Sequence, residues 1–272
     1  MGTPSISIVI PTYNCGDTIK KCLDSVLKQS FLNYEVLIMD GFSSDDTSQI
    51  CKDYVSNSIH FHQEKDTGIY DAMNKGISKA RGEWIYFLGG DDVFYSDTVL
   101  QTFASATKKY PFNMFYGNVL VSGDTAWAKD QQVYDGYFSL NKLLTKNICH
   151  QAILYKKTLF NEIGNFNTKY IVCADYDLNL QIASKHKLKY LDFITVIFKN
   201  GGASSTINDT VFMVDFKKNS INYFYKILYR PCFKKFEHAI IEHGKNCNSS
   251  FSKFYLFSVG YYFKIQRKLS LI

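Results

Sequence analysis

Proline is scarce in this chain, with four in 272 residues, and sixteen glycines are too few for collagen or low-complexity disorder. The seven cysteines (Cys15, Cys22, Cys51, Cys149, Cys173, Cys232, Cys247) include no C-x-x-C pair and are odd in number. Neither a zinc ribbon nor a disulfide framework is therefore expected, and a reducing compartment suits the chain better. No apolar run approaches the roughly 20 residues a membrane-spanning helix needs. The N-terminus, Met1-Gly2-Thr3-Pro4, lacks a basic stretch, and the apolar run from Ile6 to Ile10 is too short for a secretory signal, so a cytoplasmic protein is expected. Also missing are G-x-G-x-x-G after a strand and a glycine-rich loop closed by Lys-Ser/Thr, which argues against a dinucleotide fold and a P-loop NTPase.

What the chain does contain is apolar bulk: 46% hydrophobic and 16% aromatic residues, enough for one large core with an appendage. The formal charge of +6 is unevenly spread. Residues 217–272 hold 11 Lys and Arg against 2 Asp and Glu, whereas residues 1–216 hold 20 against 23. Basicity thus belongs to the tail.

The first hundred residues alternate two periodicities. Ser5-Ile6-Ser7-Ile8-Val9-Ile10, stopped at Pro11, reads as a strand; Ile19, Cys22, Leu23, Val26 and Leu27 then recur at helical spacing. Residues 34–39, 59–63 and 84–88 repeat the strand signal, and helices are expected around Ile50 and Tyr54, then from Ile69 to Ala80 with Gly82 as the stop. This βαβαβαβ order predicts an α/β fold with a mainly parallel central sheet, helices on both faces, and ligands at the carboxyl ends of the strands. At those ends stand Pro11-Thr12-Tyr13-Asn14, Asp40-Gly41-Phe42-Ser43-Ser44-Asp45-Asp46 and Gly89-Gly90-Asp91-Asp92. An aromatic ring and several carboxylates converging on one edge suit a base to stack, a ribose or base N–H to accept from, and a divalent cation to hold.

Residues 7–14, the Asp40-Gly41-x-Ser43-x-Asp45 run, the stretch from Gly68 to Gly76, and Asp91-Asp92 together resemble, in order and spacing, the inverting family 2 glycosyltransferases of GT-A fold. The resemblance extends more thinly to Cys149-His150-Gln151 and to Ala174-Asp175-Tyr176-Asp177-Leu178. It implies that Tyr13 lies against the nucleotide base, with Pro11 and Thr12 shaping the turn, and that Asp40 accepts from a base N–H. Asp66, Met73 and Lys75 would lie beneath the nucleotide. Asp92 would ligate Mn²⁺ or Mg²⁺, with Asp91 on the metal or the ribose. The catalytic base would be Asp175, with Asp177 as the alternate, and His150 would meet the diphosphate or the acceptor. Each carboxylate also has a plainer use as a helix cap or turn residue, the one expected for Asp45 and Asp46. Lys75 could equally be a solvated lysine on a helix face, and His150 a structural histidine.

The chain departs from the family pattern at three places. Gly89 and Gly90 stand where many members carry a further Asp ahead of the pair, which shifts coordination toward phosphate and water; Met73 replaces a frequent Arg, and Ala174 a Glu. The activity implied is transfer of a hexose or N-acetylhexosamine from a UDP donor, with inversion, to a hydroxyl of a polyprenyl-diphosphate-linked glycan, in bacterial polysaccharide or O-antigen assembly. A non-catalytic sugar-nucleotide or glycan-binding domain on the same fold is the alternative.

Two domains are expected: a catalytic one over residues 1–216, its nucleotide half about 1–110 and its acceptor half about 111–216, and a basic aromatic helical extension over 217–272. The extension holds 13 Phe and Tyr interleaved with its basic residues. That composition suits an anionic membrane surface, so peripheral contact with the cytoplasmic face of the inner membrane is expected. RNA stacking is the rival use, and packing of the rings on the catalytic domain is the plain one. With a sugar-transfer domain ahead of it, the membrane is preferred and no nucleic-acid partner is expected.

Overall fold

In the computed structural model, residues 2–125, 128–201 and 208–269 are described; Met1 and residues 270–272 of the extension lie outside them, as does the side chain of Lys268. In chain order the first elements are β1 (Ile6–Thr12), α1 (Gly16–Leu27), β2 (Tyr34–Asp40), α2 (Thr47–Asp53), β3 (Ile59–Gln63), α3 (Ile69–Lys79), β4 (Trp84–Phe87) and β5 (Val93–Phe94). Next come α4 (Val99–Lys109), β6 (Met114–Ser122), β7 (Val133–Tyr134), α5 (Leu140–Leu143), a 3₁₀ turn at His150–Ala152, β8 (Ile153–Lys156), α6 (Thr158–Ile163), α7 (Ala174–Lys185) and β9 (Lys189–Lys199). The described residues divide into two compact units, one made of those up to Phe138 and of Asn147–Asp209, the other of Ser139–Lys146 and those from Thr210 on.

The first unit is built on a sheet of order β3-β2-β1-β4-β8-β6-β9-β5, with β7 paired to β6. Its first four strands are all parallel, as the alternating pattern predicts. Beyond β4 the sheet is mixed: β8 runs antiparallel to both β4 and β6, while β6 and β9 are parallel. β1 and β4 are buried along their whole length and mostly apolar, as central strands covered on both faces must be. The chain runs from β1 outward through β2 to β3 and then returns to β4 on the other side of β1. That reversal opens a crevice beyond the carboxyl ends of β1 and β4, where open α/β sheets bind ligands.

Two local expectations change. β1 does not stop at Pro11 but runs on to Thr12, with Pro11 in register with Met39. The reason lies in the ladder. Val9 bonds toward β4, through the Leu88 amide, so Pro11, two residues on, faces the same side beyond the last β4 pair, where no N–H is needed. In α1 the residues Ile19, Cys22, Leu23 and Val26 are buried as their spacing predicts, but Leu27 is exposed, since the helix ends there.

The second unit contains α5, α8 (Thr210–Tyr223), 3₁₀ turns at Tyr225–Ile227 and Pro231–Phe236, α9 (Glu237–Lys245) and α10 (Ser250–Leu269). Phe224, Phe233 and Phe236 form a ring cluster, with centroids 5.7 and 5.9 Å apart, and Leu256 and Phe263 of α10 are also buried. Part of the aromatic content is therefore the core of this unit. The rest is on its surface: Phe251, Phe254, Tyr261, Tyr262, Ile265 and Leu269 are exposed along α10. At 100° per residue these six lie on one stripe, opposite the buried Leu256, Val259 and Phe263. No described helix is long and apolar enough to cross a membrane.

Candidate active site

The loops after β1 and β2 are knitted together. The Asn14 amide donates to Ser43 Oγ at 2.9 Å, the Ser44 amide to Asn14 Oδ1 at 2.8 Å, and the Cys15 amide to Thr47 Oγ1 at 2.8 Å. Asp45 caps two helices: one oxygen accepts from the Thr47 amide at the start of α2, the other from the Gly16 amide at the start of α1, across 29 residues. Burial would raise its pKa, but these bonds outweigh it and hold the carboxyl below the usual range. The expected capping role is thus wider than one helix. Asp46 makes no side-chain cap bond.

Asp40, at the end of β2, is almost wholly buried, and its oxygens accept from Thr12 Oγ1, the Ser43 amide and hydroxyl, Ser48 Oγ and Gln63 Nε2. Five donors make it the bracket of the two loops. Their product is a pair of exposed rings beside the Asn14–Ser43 tie, Tyr13 at 66% and Phe42 at 57% exposure. Phe42 has φ of 61°, a left-handed conformation costly for an aromatic residue and maintained here by the Ser43 bonds to Asp40. Phe42 was not singled out from the sequence; an aromatic residue inside a polar strand-end loop was the available signal.

The segment expected beneath the nucleotide divides. Asp66 is half-buried, with Oδ2 2.5 Å from where a Cβ on Gly41 would stand, so a side chain after Asp40 would displace this carboxylate. Its pKa is raised, chiefly by that burial. Pro11 and Thr12 are buried, and Met73 is completely so on the inner face of α3. Lys75 is tied down, pairing with Asp71 Oδ2 at 3.4 Å and donating to the Lys65 carbonyl.

Across the crevice, the loop after β4 brings Asp91 Oδ1 and Asp92 Oδ2 within 2.8 and 2.7 Å of the point a Gly89 Cβ would occupy. Asp92 is completely buried; its Oδ1 accepts from the Lys199 amide at 3.1 Å, and its Oδ2 has no hydrogen-bond partner among the described residues. Burial, then the neighbouring Asp91 charge, push its pKa up to about 7. Burial also raises Asp91, opposed by the Lys199 and His150 charges. Among the described residues no three His, Cys, Asp or Glu side chains make a cation cage. Two carboxylate oxygens converging on one glycine, one of them unpartnered, fit a divalent cation that completes its shell with phosphate and water.

Asp175, on the first turn of α7, lies in a polar network assembled from three distant segments. Its Oδ1 accepts from Tyr70 Oη at 2.9 Å and the Tyr176 amide at 2.8 Å; its Oδ2 accepts from Asn147 Nδ2 at 2.9 Å and faces His150 Nδ1 at 3.2 Å. Asn147 Oδ1 in turn accepts from Asn179, whose Oδ1 accepts from Tyr155 Oη. Burial, then the Asp175 charge, hold the Tyr70 hydroxyl well above its ordinary pKa, so it stays a donor. Asp177 is buried further along α7 and accepts from Gln181. Asp175 and His150 are thus brought together, with Tyr70 and Asn147 as partners that the sequence did not reveal.

The pattern of glycosyl transferase family 2 matches residues 7–164. The PGL/p-HBAD biosynthesis glycosyltransferase of Mycobacterium tuberculosis is 37% identical over 222 residues, which is 78% of this chain and 84% of that protein. Chondroitin synthase of Escherichia coli is 26% identical over 250 residues, covering 90% of this chain and 35% of that one. Among solved structures, S. aureus TarS 1-349 in complex with UDP-GlcNAc superposes with a TM-score of 0.67 at 19% identity, over 88% of this chain and 71% of that chain. A mannosyltransferase of Pyrobaculum calidifontis in complex with GDP-Man and Mn²⁺ superposes with a TM-score of 0.53 at 15% identity, over 95% and 74% of the two chains. Structural likeness of this degree establishes the GT-A fold, and the match over residues 7–164 together with the mycobacterial relative establishes the rest: the chain belongs to glycosyl transferase family 2 and is a glycosyltransferase.

Proposed function

We propose that this glycosyltransferase moves a hexose or N-acetylhexosamine from a UDP donor, with inversion, to a hydroxyl of a polyprenyl-diphosphate-linked glycan in bacterial surface polysaccharide assembly. The observation that carries the reading is the convergence of Asp91 and Asp92 on Gly89 at the carboxyl end of β4, together with the exposed rings Tyr13 and Phe42 on the loops after the neighbouring strands β1 and β2. A cation-binding carboxylate pair on one side and an aromatic platform on the other divide a nucleoside diphosphate between them. The UDP-GlcNAc bound by TarS and the glycan-building relatives support the donor class.

In this assignment Tyr13 stacks on the base, and Pro11 and Thr12 shape the turn beneath it. Asp40 fixes the loops, while Asp66, less enclosed and set against Gly41, takes the base or ribose contact. Lys75 contributes charge beneath the nucleotide, and Met73 fills the core under it. Asp91 and Asp92 would hold Mn²⁺ or Mg²⁺, which when bound neutralises charge gathering on the departing diphosphate. The Asp175 network, with His150, is the proton-accepting centre on the acceptor side, and inversion follows from a single displacement without an enzyme nucleophile. The exposed apolar stripe of α10, in an extension rich in Lys and Arg, supports peripheral attachment to the cytoplasmic face of an anionic membrane.

Titration with UDP and Mn²⁺ by calorimetry tests the reading: micromolar binding is expected, weakened at least tenfold in Asp92→Ala. Absence of nucleotide binding in the wild type would overturn it.

A further inference from the structure

We infer that the stretch from Gly68 to Gly76 aims the catalytic carboxylate: Tyr70 positions Asp175 through its hydroxyl, and Asn74, one turn further along α3, holds the Tyr70 ring in place. This rests on the transferase reading above, in which Asp175 takes the acceptor's proton. It gives the stretch a task on the acceptor side as well as beneath the nucleotide.

An aspartate carboxylate turns about its Cβ–Cγ bond with little resistance, so its direction is set by its partners. Four donors reach Asp175. The Tyr176 amide belongs to the same turn of α7, and Asn147 and His150 lie on one segment ahead of β8. Tyr70 alone of the four comes from α3, 105 residues away, and its hydroxyl donates to Oδ1 at 2.9 Å with both side chains buried. Burial, then the Asp175 charge, keep that phenol protonated, so it has one hydrogen to give and gives it to the carboxylate.

The ring that carries this hydroxyl is fixed in turn. Tyr70 and Asn74 stand four residues apart on α3 and so share one face. Asn74 grips the backbone of Phe166 twice: its Nδ2 donates to the Phe166 carbonyl at 2.9 Å, and its Oδ1 accepts from the Phe166 amide at 3.0 Å. The Phe166 ring lies 5.3 Å from that of Tyr70 and 5.1 Å from that of Phe87 on β4. Phe87 meets Tyr155 at 5.9 Å, and the Tyr155 hydroxyl begins the chain through Asn179 and Asn147 that ends on Asp175 Oδ2. Both oxygens of the carboxylate are therefore tied to one aromatic cluster by separate routes, Oδ1 through Tyr70 and Oδ2 through Asn147. The segment just ahead of the stretch belongs to the donor side, since the Gly68 amide donates to Oδ1 of Asp66, whose Oδ2 lies against Gly41.

The experiment follows UDP release from UDP-glucose, UDP-galactose, UDP-GlcNAc and UDP-GalNAc with Mn²⁺ and water as acceptor. It compares wild type, Tyr70→Phe, Asn74→Ala, Asp175→Asn and the double variant Tyr70→Phe with Asp175→Asn. Tyr70→Phe keeps the ring and removes one hydrogen bond; kcat should fall about 10- to 100-fold, the cost of a base misplaced by about 1 Å, with donor KM and UDP affinity within about threefold of wild type. Asn74→Ala should lower kcat by about tenfold, also at constant KM. With the carboxylate already gone in Asp175→Asn, Tyr70→Phe should cost less than about threefold more, because Tyr70 acts through Asp175, whereas a general structural role would cost the same in either background. A kcat loss under about tenfold in Tyr70→Phe, the full loss repeated in the double variant, or a rise in donor KM above about tenfold would overturn the assignment, the last by placing Tyr70 on the donor. If Tyr70→Phe does not fold, Asn74→Ala decides by its kcat and KM. Failure of the underlying reading looks different: the wild type itself would bind no UDP or release none.

Discussion

The backbone amide of Lys199, at the end of β9, donates to Oδ1 of Asp92 at 3.1 Å, across 107 residues. This bond holds one oxygen of the carboxylate, and Oδ2, beside Gly89, has no partner among the described residues. A buried, half-satisfied carboxylate costs stability in the free protein and returns it on binding a cation.

Asp92→Asn should therefore stabilise the metal-free protein while weakening Mn²⁺ binding in the presence of UDP by tenfold or more. The sign of the pH dependence follows from a folded-state pKa of about 7 against 3.8 unfolded. The protonated carboxyl is favoured by folding, so its contribution is full below pH 4 and is lost as pH rises through 7. The two proteins should melt together in acid and separate by several degrees between pH 4 and 7, with the variant higher. Equal melting at pH 8 without metal would contradict this.

Tyr13 and Phe42 predict a separable pair of effects. Loss of a base-stacking ring costs about 1–3 kcal/mol, so Tyr13→Ala should weaken UDP binding roughly tenfold with little change in stability. Phe42→Gly removes a second ring but also relieves the φ of 61°, so it should melt higher while binding UDP more weakly. Calorimetry and thermal melts read the two.

Glu35 tests the far end of the sheet. It is buried on β2 and accepts from Ser7 Oγ, the Arg81 amide and the Arg81 guanidinium at 2.7, 2.6 and 2.7 Å. Burial raises its pKa, but these bonds prevail and hold it below 4.5. Its contribution is present above pH 4.5 and lost as pH falls through the lower folded value. Urea unfolding should show Glu35→Ala less stable by about 3 kcal/mol at pH 7, a gap that narrows in strong acid, with UDP affinity unchanged.

The exposed stripe on α10 predicts sedimentation with vesicles containing anionic lipid and less with neutral ones. Phe254→Asp with Ile265→Asp should abolish it while leaving UDP binding intact, since both side chains are exposed. Retention on neutral and anionic vesicles alike would remove the electrostatic part of the argument.

Periodicity is local, and so it located β1, β2, β3, β4, α1 and α3 closely; the strand-end loops followed because a parallel sheet presents its carboxyl ends together. It misplaced the end of β1, because whether a proline N–H is missed depends on the neighbouring strand. It placed the mixed half of the sheet less well, since the antiparallel entry of β8 beside β4 is a long-range pairing. The tail's composition left membrane contact, RNA stacking and packing open to its rings and favoured the first, whereas Phe233 and Phe236 are core and Phe251 and Phe254 are surface.

The same limit governs the site. By itself the sequence determined which residues stand at the strand ends and helix starts, and so which carboxylates, rings and glycines are available for chemistry. The tertiary structure alone decided how each of them is partnered. Asp40 receives five donors and Asp175 four, while among the described residues Asp92 Oδ2 and His150 Nε2 have none. That partnering is set by donors carried in from segments tens of residues away, and no local pattern records their arrival.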